Sequence, residues 1–342
     1  MNSVSSGDYI RFVIAGCLNR DYLLPISGQP KVDVFGGNLA YASIGLQLWG
    51  QAAGLIARVG QDYPLEWLDR LQSQGFDLSG IKAVSGGALD SRRFLAHSSL
   101  QSTHTQNPVQ HFAERGQPFP PGLLGYRDKV QKHSSRSQPL QQSLQISDIP
   151  ESYLQASAVH ICPIDYLSHV ILPSVFRQGR ALTITLSPDP GYMSPAYWEE
   201  IPGLLSEITA FITTEEDIRS LFQGRQTDLW EMAAVLGSFG TEYIVIRTET
   251  WGYCLYDSVN GKRWMVPNYP SQAVDPTGAF DAFAGGFLAG YREHYDPLEA
   301  AVMGSISESL VVEGSGVYFA LDALPGLVDK RREAVRELVR DV

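Results

Sequence analysis

Cysteine is scarce in this chain, with only Cys17, Cys162 and Cys254 in 342 residues. The three are far apart and each sits in an apolar, strand-like run. They offer neither a disulfide framework nor metal-ligand spacing, and they read as reduced core residues of a reducing compartment. Long apolar stretches are lacking too. The longest are strand-sized and the N-terminal stretch is polar, so no membrane span and no secretory leader is expected, and the cytoplasm is the expected location. Basic residues are outnumbered, 26 Lys and Arg against 37 Asp and Glu, for a formal net charge of −11. A nucleic-acid backbone selects a basic surface, so nucleic acid is not an expected partner. In the last predicted helix Lys330, Arg331, Arg332, Arg336 and Arg340 alternate with Asp329, Glu333, Glu337 and Asp341, which reads as a solvated amphipathic face. No Gly-x-Gly-x-x-Gly follows the first predicted strand and no Walker-type phosphate loop occurs, which argues against a dehydrogenase and a P-loop enzyme.

What is present is a regular alternation. Short β-branched and aromatic runs at Tyr9–Ala15, Gly54–Val59, Ala158–Cys162, Leu182–Leu186, Ile208–Ile212 and Tyr243–Arg247 predict strands. Helical patterns separate them at Leu39–Leu48, Leu65–Gln74, Leu167–Arg177, Pro195–Leu205, Glu215–Phe222 and Asp228–Phe239. Alternation of this kind predicts a parallel sheet covered by helices. Asn260-Gly261 between Gly252–Asp257 and Arg263–Val266 signals a hairpin. Two further helices are predicted at Ala279–Tyr291 and Pro297–Val312, with 44% hydrophobic residues sufficing for a large core. From about Ser98 to Ser147 the rhythm stops. Gln, Ser, His and Pro dominate, and an exposed excursion, part lid and part loop, is expected. His97, His104 and His111 recur there every seven residues, which is not a usual zinc-ligand step, and they read as polar surface histidines.

One stretch carries chemistry. Asp275-Pro276-Thr277-Gly278 reads as a turn, and Gly278 onward as a buried helix that begins Ala279-Phe280-Asp281. Free N–H groups and the positive end of the helix dipole make that start a seat for phosphate. Asp281 sets a carboxylate beside the seat, where it suits removal of a proton from a hydroxyl attacking a phosphoryl group. Taken alone, it also fits an acidic first-turn residue favoured by the dipole, with Thr277 as cap.

The stretch resembles the C-terminal signature of the PfkB (ribokinase-like) carbohydrate kinases, Asp-Thr/Pro-Thr-Gly-Ala-Gly-Asp followed by a Gly-rich helix. The resemblance extends over about residues 9–320. It implies one domain over residues 1–342, a three-layer α/β/α fold with a mostly parallel central sheet, and a small β lid built from parts of about 18–36 and 90–120. It also implies an ATP-dependent kinase acting on a hydroxyl of a small sugar, polyol or nucleoside. A degenerate kinase fold that binds a small ligand or nucleotide without turnover is the alternative. In the family the last Asp is the catalytic base and the preceding amides form the anion hole, which implies Asp281 with Gly278, Ala279 and Phe280.

Other blocks follow in the family's order. Gly16-Cys17-Leu18-Asn19-Arg20-Asp21 resembles Gly-x-x-Asn-x-Asp and implies acceptor binding by Asn19 and Asp21. A turn in which these two side chains bond local backbone is the other reading. Gly36-Gly37-Asn38-Leu39-Ala40-Tyr41 matches the N-terminal Gly-Gly block, again facing the acceptor, with Tyr41 where Asn is frequent. Thr213-Thr214-Glu215-Glu216 lies where the family carries Asn-x-x-Glu and implies that Glu216 organises Mg²⁺ through water, with Thr213 in place of the Asn. By its residues alone it is an N-cap with acidic first-turn residues. Arg247 and Gly252 bracket the nucleotide loop, where Glu249 replaces a glycine. The Val311–Gly316 loop resembles the one that closes over adenine and, in some members, a monovalent cation such as K⁺, which Asp275 and Thr277 would share. The lid in this family often makes a homodimer contact. Phe280 stands where the signature has Gly, so either the backbone is strained there or the ring must find room beside the phosphate.

Overall fold

The computed structural model describes residues 10–84, 89–128, 134–250, 252–324 and 326–342. β1 (Phe12–Ala15) is buried on both faces, with Phe12 and Ile14 packed in one core and Val13 and Ala15 in another. This is the period-2 alternation of a central strand. The chain then forms β2 (Asn19–Leu24) and β3 (Lys31–Gly36), returns through α1 (Asn38–Gln47) to β4 (Gly54–Val59), and continues through α2 (Asp69–Ser73) to β5 (Asp77–Ala83). β6 (Arg92–His97), β7 (Thr103–His104) and α3 (Pro108–Glu114) follow. Strands and helices then alternate as β8 (Ala158–Ile161), α4 (Tyr166–Gln178), β9 (Thr183–Leu186), α5 (Ile201–Leu205), β10 (Ala210–Thr214), α6 (Glu215–Leu221), α7 (Leu229–Gly237) and β11 (Tyr243–Arg247). The hairpin β12 (Tyr253–Asp257) and β13 (Arg263–Val266) leads to α8 (Ala279–His294), α9 (Pro297–Val311), α10 (Leu327–Leu338) and β14 (Arg340–Asp341).

The main sheet has the order β14-β13-β12-β11-β10-β9-β8-β1-β4-β5. From β11 to β5 the pairs are parallel, while β12, β13 and β14 are antiparallel. The α1, α8, α9 and α10 helices cover one face and α4 to α7 the other, giving three layers. Because β1 lies between β4 and β8, the chain winds from it first one way and later the other. The crevice at the C-terminal ends of β1 and β8 is therefore a switch point, the place where such sheets take ligands. A smaller sheet, β3-β2-β6-β7, has β2 parallel to β6 and its other pairs antiparallel.

Two features position the site. α1 and α8 cross at backbone contact, since a Cβ on Gly285 would lie 1.9 Å from the carbonyl oxygen of Ala42. This sets the start of α8 above the β1–β8 crevice. Second, β10 runs on to Thr214, beyond the expected Ile212, because Thr213 and Thr214 keep pairing with Ile246 and Arg247.

The polar segment read as one exposed excursion is divided. Phe112 and Leu123 pack with Tyr22, Leu24, Phe94 and Ala96 under the smaller sheet. Beyond Ser134 the chain instead lies along the α4 side of the main sheet. There Leu144 is buried, the Ser143 hydroxyl donates to Asp165 at 2.5 Å and Arg58 meets Asp148 at 2.7 Å. Single apolar anchors at irregular spacing hold such a segment, so periodicity does not reveal it. Among the described residues no helix is long and apolar enough to cross a membrane.

Candidate active site

The turn before α8 is built by its own side chains. The Thr277 N–H donates to Asp275 Oδ1 at 3.0 Å, and Gly278 follows with φ +74°. A Cβ at Gly278 would fall 1.9 Å from Cγ of Tyr41, so both the left-handed backbone and the contact require glycine. Among the described residues the N–H groups of Gly278, Phe280 and Asp281 find no backbone carbonyl, which leaves three donors at the positive end of a sixteen-residue helix.

Asp281 sits in the first turn, half-buried. Loss of solvent pushes its carboxyl up to about 7; the Arg93 and Arg247 guanidiniums pull it down and Asp21 pushes it further up. A carboxyl poised near neutrality beside free amides is arranged to accept a proton where negative charge is stabilised.

Phe280 is the second residue of α8, has no positive φ, and its ring packs against the core under the main sheet. The position therefore carries no left-handed backbone strain, and the half-buried ring finds packing against the core. Phe280→Gly is expected to lower stability by about 1–3 kcal/mol, through lost packing and a helical glycine, without raising turnover. A thermal melt with an activity assay checks this; a gain in turnover would show that the ring obstructs the seat.

Facing α8 are Asn19 and Asp21 on β2. Asp21 is fully buried, and the β2–β6 register brings Arg93 opposite it. Arg93 Nε and Nη2 donate to Asp21 Oδ1 and Oδ2 at 2.9 and 2.6 Å, a two-pronged ion pair. With its amide oriented to satisfy both ends, Asn19 accepts from Arg93 Nε at 3.3 Å and donates to Leu18. Gly36 leaves room for this pair, since a Cβ there would lie 1.8 Å from Asp21 Oδ2. A Cβ on Gly37 would lie 2.3 Å from the Cys17 carbonyl oxygen.

Of the two side chains expected at the acceptor, Asn38 is engaged elsewhere, while Tyr41 packs under the turn and keeps its buried hydroxyl without a hydrogen-bond partner. The Asn38 amide accepts from the Cys17 N–H at 2.7 Å and donates to the Pro163 carbonyl at 2.6 Å, bracing the ends of β1 and β8. Tyr41 is 1% exposed and its ring lies under Gly278. It is a floor for the turn, because the α1–α8 crossing directs it there.

On the other side, Arg247 pairs with Glu308 of α9 at 2.7 Å, and the Tyr253 hydroxyl donates to the same carboxylate at 2.6 Å. Gly252 has φ +94°, and its carbonyl receives the Thr248 N–H at 2.7 Å, while Glu249 is exposed. Trp251 lies outside the described residues. A cavity of about 650 Å³ opens beside this loop, bordered by Glu215, Trp230, Thr248, Thr250 and Pro267. Glu216 is exposed in the first turn of α6, and the buried Thr213 hydroxyl has no hydrogen-bond partner. Nearby, burial raises the carboxyls of Asp189 to about 7 and Asp217 to about 6.

Sequence reasoning missed Arg93 and His97. Arg93 becomes visible only through strand register. His97, expected at the surface, is 3% exposed, with Nε2 2.8 Å from the Thr277 hydroxyl. Burial holds its imidazole below the ordinary value, with Asp275 acting in the opposite direction.

With this geometry in view, the comparisons are specific. The family model for the pfkB family carbohydrate kinases matches residues 130–324. A cytidine kinase from Thermococcus kodakarensis is 30% identical over 295 residues, covering 85% of this chain and 91% of the relative. The chain belongs to the pfkB family of carbohydrate kinases. A 5-dehydro-2-deoxygluconokinase from Clostridium botulinum is 24% identical over 81% of this chain and 78% of its own length. Among solved structures, a candidate ribokinase II from E. coli with ATP and magnesium superposes with a TM-score of 0.68 at 15% identity, covering 95% and 99% of the two chains. The fold is thus ribokinase-like, and the activity is that of a sugar or nucleoside kinase.

Proposed function

We propose that this pfkB-family kinase transfers the γ-phosphoryl group of ATP to a hydroxyl of a nucleoside, with Asp281 as the general base. The observation that carries the chemistry is a carboxyl held near neutrality in the first turn of α8, beside three free amides of which one is its own. The choice of a nucleoside rests on the 30% identity with a cytidine kinase over 85% of this chain, against 24% with a sugar-acid kinase.

In the reaction the acceptor hydroxyl lies between Asp281 and the γ-phosphorus. Its oxygen forms the new P–O bond as the bond to the β-phosphate oxygen breaks, and Asp281 takes the proton. The charge on the transferring group falls to the amides of Gly278, Phe280 and Asp281, with Ala279 completing the turn. Asn19 and Asp21 receive hydroxyl groups of the acceptor, and Arg93 holds Asp21 in place. Gly36 and Gly37 let this wall approach.

Magnesium, bound with the nucleotide, would offset the charge of the phosphates. The residues fit it. A buried, unpartnered Thr213 hydroxyl and the Asp189 and Asp217 carboxyls, which burial makes costly to ionise without a cation, lie just beyond β9 and beside the end of β10. Among the described residues no three His, Cys, Asp or Glu side chains cluster tightly enough to hold an ion by themselves. A magnesium ion retaining its waters and held through Glu216 suits that donor set. Arg247 and Gly252 border the nucleotide, and the free cysteines fit a cytoplasmic enzyme.

The test is ADP release from MgATP with cytidine, uridine, adenosine, ribose, fructose and small polyols. A nucleoside is expected to give the highest kcat/KM, by about tenfold or more over free sugars. A sugar in that place would move the acceptor class, and no acceptor-dependent ADP from any compound would overturn the kinase reading.

A further inference from the structure

By resemblance Asp275 and Thr277 carry a monovalent-cation site, yet their surroundings do not suit one. Asp275 is 1% exposed, and both its oxygens face donors. Oδ1 accepts the Thr277 N–H at 3.0 Å, and Oδ2 accepts the Ser315 hydroxyl. Nε2 of His97 lies 2.8 Å from the Thr277 hydroxyl and 3.6 Å from Asp275 Oδ1. A hard cation is held by oxygen lone pairs turned inward. Here the Asp275 carboxylate meets hydrogen-bond donors, and the Thr277 hydroxyl is engaged by the imidazole.

His97 is itself firmly set. It ends β6, its Nδ1 is 3.0 Å from the Thr103 hydroxyl, and its carbonyl accepts from Arg115 at 2.7 Å. The same guanidinium donates to the Pro25 carbonyl, and the next residue, Ile26, donates its N–H to Val274 at 2.9 Å. From the opposite side the Val312 carbonyl receives the N–H groups of Val274 and Asp275 at 2.7 and 3.1 Å. The turn that precedes Gly278 is thus fixed by the smaller sheet on one flank and by the Val311–Gly316 loop on the other.

We propose that His97 takes the place of the monovalent cation: it is a positioning residue that fixes the Asp275–Gly278 turn from the smaller sheet, so that the enzyme needs no potassium or sodium. This rests on the reading of Gly278–Asp281 as the phosphoryl seat. Neither depends on which acceptor is used.

The test compares the wild type, His97→Ala and His97→Gln by calorimetric titration with a non-hydrolysable MgATP analogue. Each is measured in choline chloride, sodium chloride and potassium chloride at equal ionic strength, with a thermal melt in each salt. For the wild type, affinity within about twofold and an unchanged melting temperature across the three salts are expected. In choline chloride His97→Ala should bind the analogue about tenfold more weakly, the loss of one buried hydrogen bond with its partners left unpaired. His97→Gln, whose amide can donate to or accept from the Thr277 hydroxyl, should stay within about threefold. Binding by the wild type that strengthens tenfold in potassium would overturn the proposal, as would undiminished affinity in His97→Ala. If the alanine variant does not fold, the wild-type salt series and the glutamine variant decide the matter. No binding by the wild type in any salt would remove the phosphoryl seat itself, and this inference with it.

Discussion

Replacing Asp281 by asparagine is expected to lower turnover by about 10²–10⁴, with affinity for MgATP nearly unchanged. Asparagine keeps the size of the side chain and the start of α8 but cannot take a proton. The pH dependence gives an independent readout. Burial raises the Asp281 carboxyl to about 7, and only its ionised form is a base. The acceptor kcat/KM of the wild type should therefore fall as pH drops through about 7 and level off above it. The residual activity of the variant should lack that limb. Stability moves in the opposite sense. A carboxyl whose folded value exceeds its unfolded value of 3.8 favours the folded state below about 4, and this contribution is lost as pH rises through about 7. At pH 8 Asp281→Asn should therefore melt higher, by about 1–2 kcal/mol of stability after discounting the partial exposure of the group. A variant with wild-type turnover would eliminate Asp281 as the base.

Arg93→Met is expected to have the second largest effect, and on two quantities at once. Asp21 is fully buried and paired through both oxygens with Arg93, so removing the arginine strands a buried charge. About 3 kcal/mol of stability should be lost, because such charges are costly unless matched. The acceptor KM should rise by about ten- to a hundredfold as Asp21 and Asn19 lose their support, while MgATP affinity changes little. Adding Asp21→Asn removes the stranded charge. The double variant should recover most of the stability and none of the acceptor affinity. Arg93 also lowers the Asp281 carboxyl, so the pH limb of the single variant should shift upward. A loss below about 1 kcal/mol, with the limb in place, would mean that the pair neither matches Asp21 nor faces the base.

How much of this was legible in the sequence depended on how local each signal was. The turn and helix start were legible because Asp275 to Asp281 is one continuous segment, and the alternating strands were legible because β1, β8 and β9 are short runs, rich in β-branched residues and buried on both faces. Arg93 was hidden because its partner lies seventy-two residues away and only the β2–β6 register brings them together. His97 looked like one of three polar histidines, and nothing local shows that it ends a strand directly over Thr277. The resemblance places Tyr41 and Asn38 at the acceptor, because their block lies beside it in the family. The crossing of α1 and α8 instead turns the Tyr41 ring under Gly278, and Asn38 braces β1 against β8. For Phe280, whether the ring packs away depended on helix geometry that begins one residue earlier.

The most direct test of the central claim is calorimetric titration of the wild-type protein with a non-hydrolysable ATP analogue, with and without Mg²⁺. It requires no knowledge of the acceptor. Magnesium-dependent binding in the micromolar to submillimolar range is the predicted result, because the proposed seat has three free amides and Glu216 stands among acidic residues in the first turn of α6. No binding at millimolar nucleotide would contradict the account, because a start of α8 that does not hold the γ-phosphate leaves Asp281 with nothing to act on.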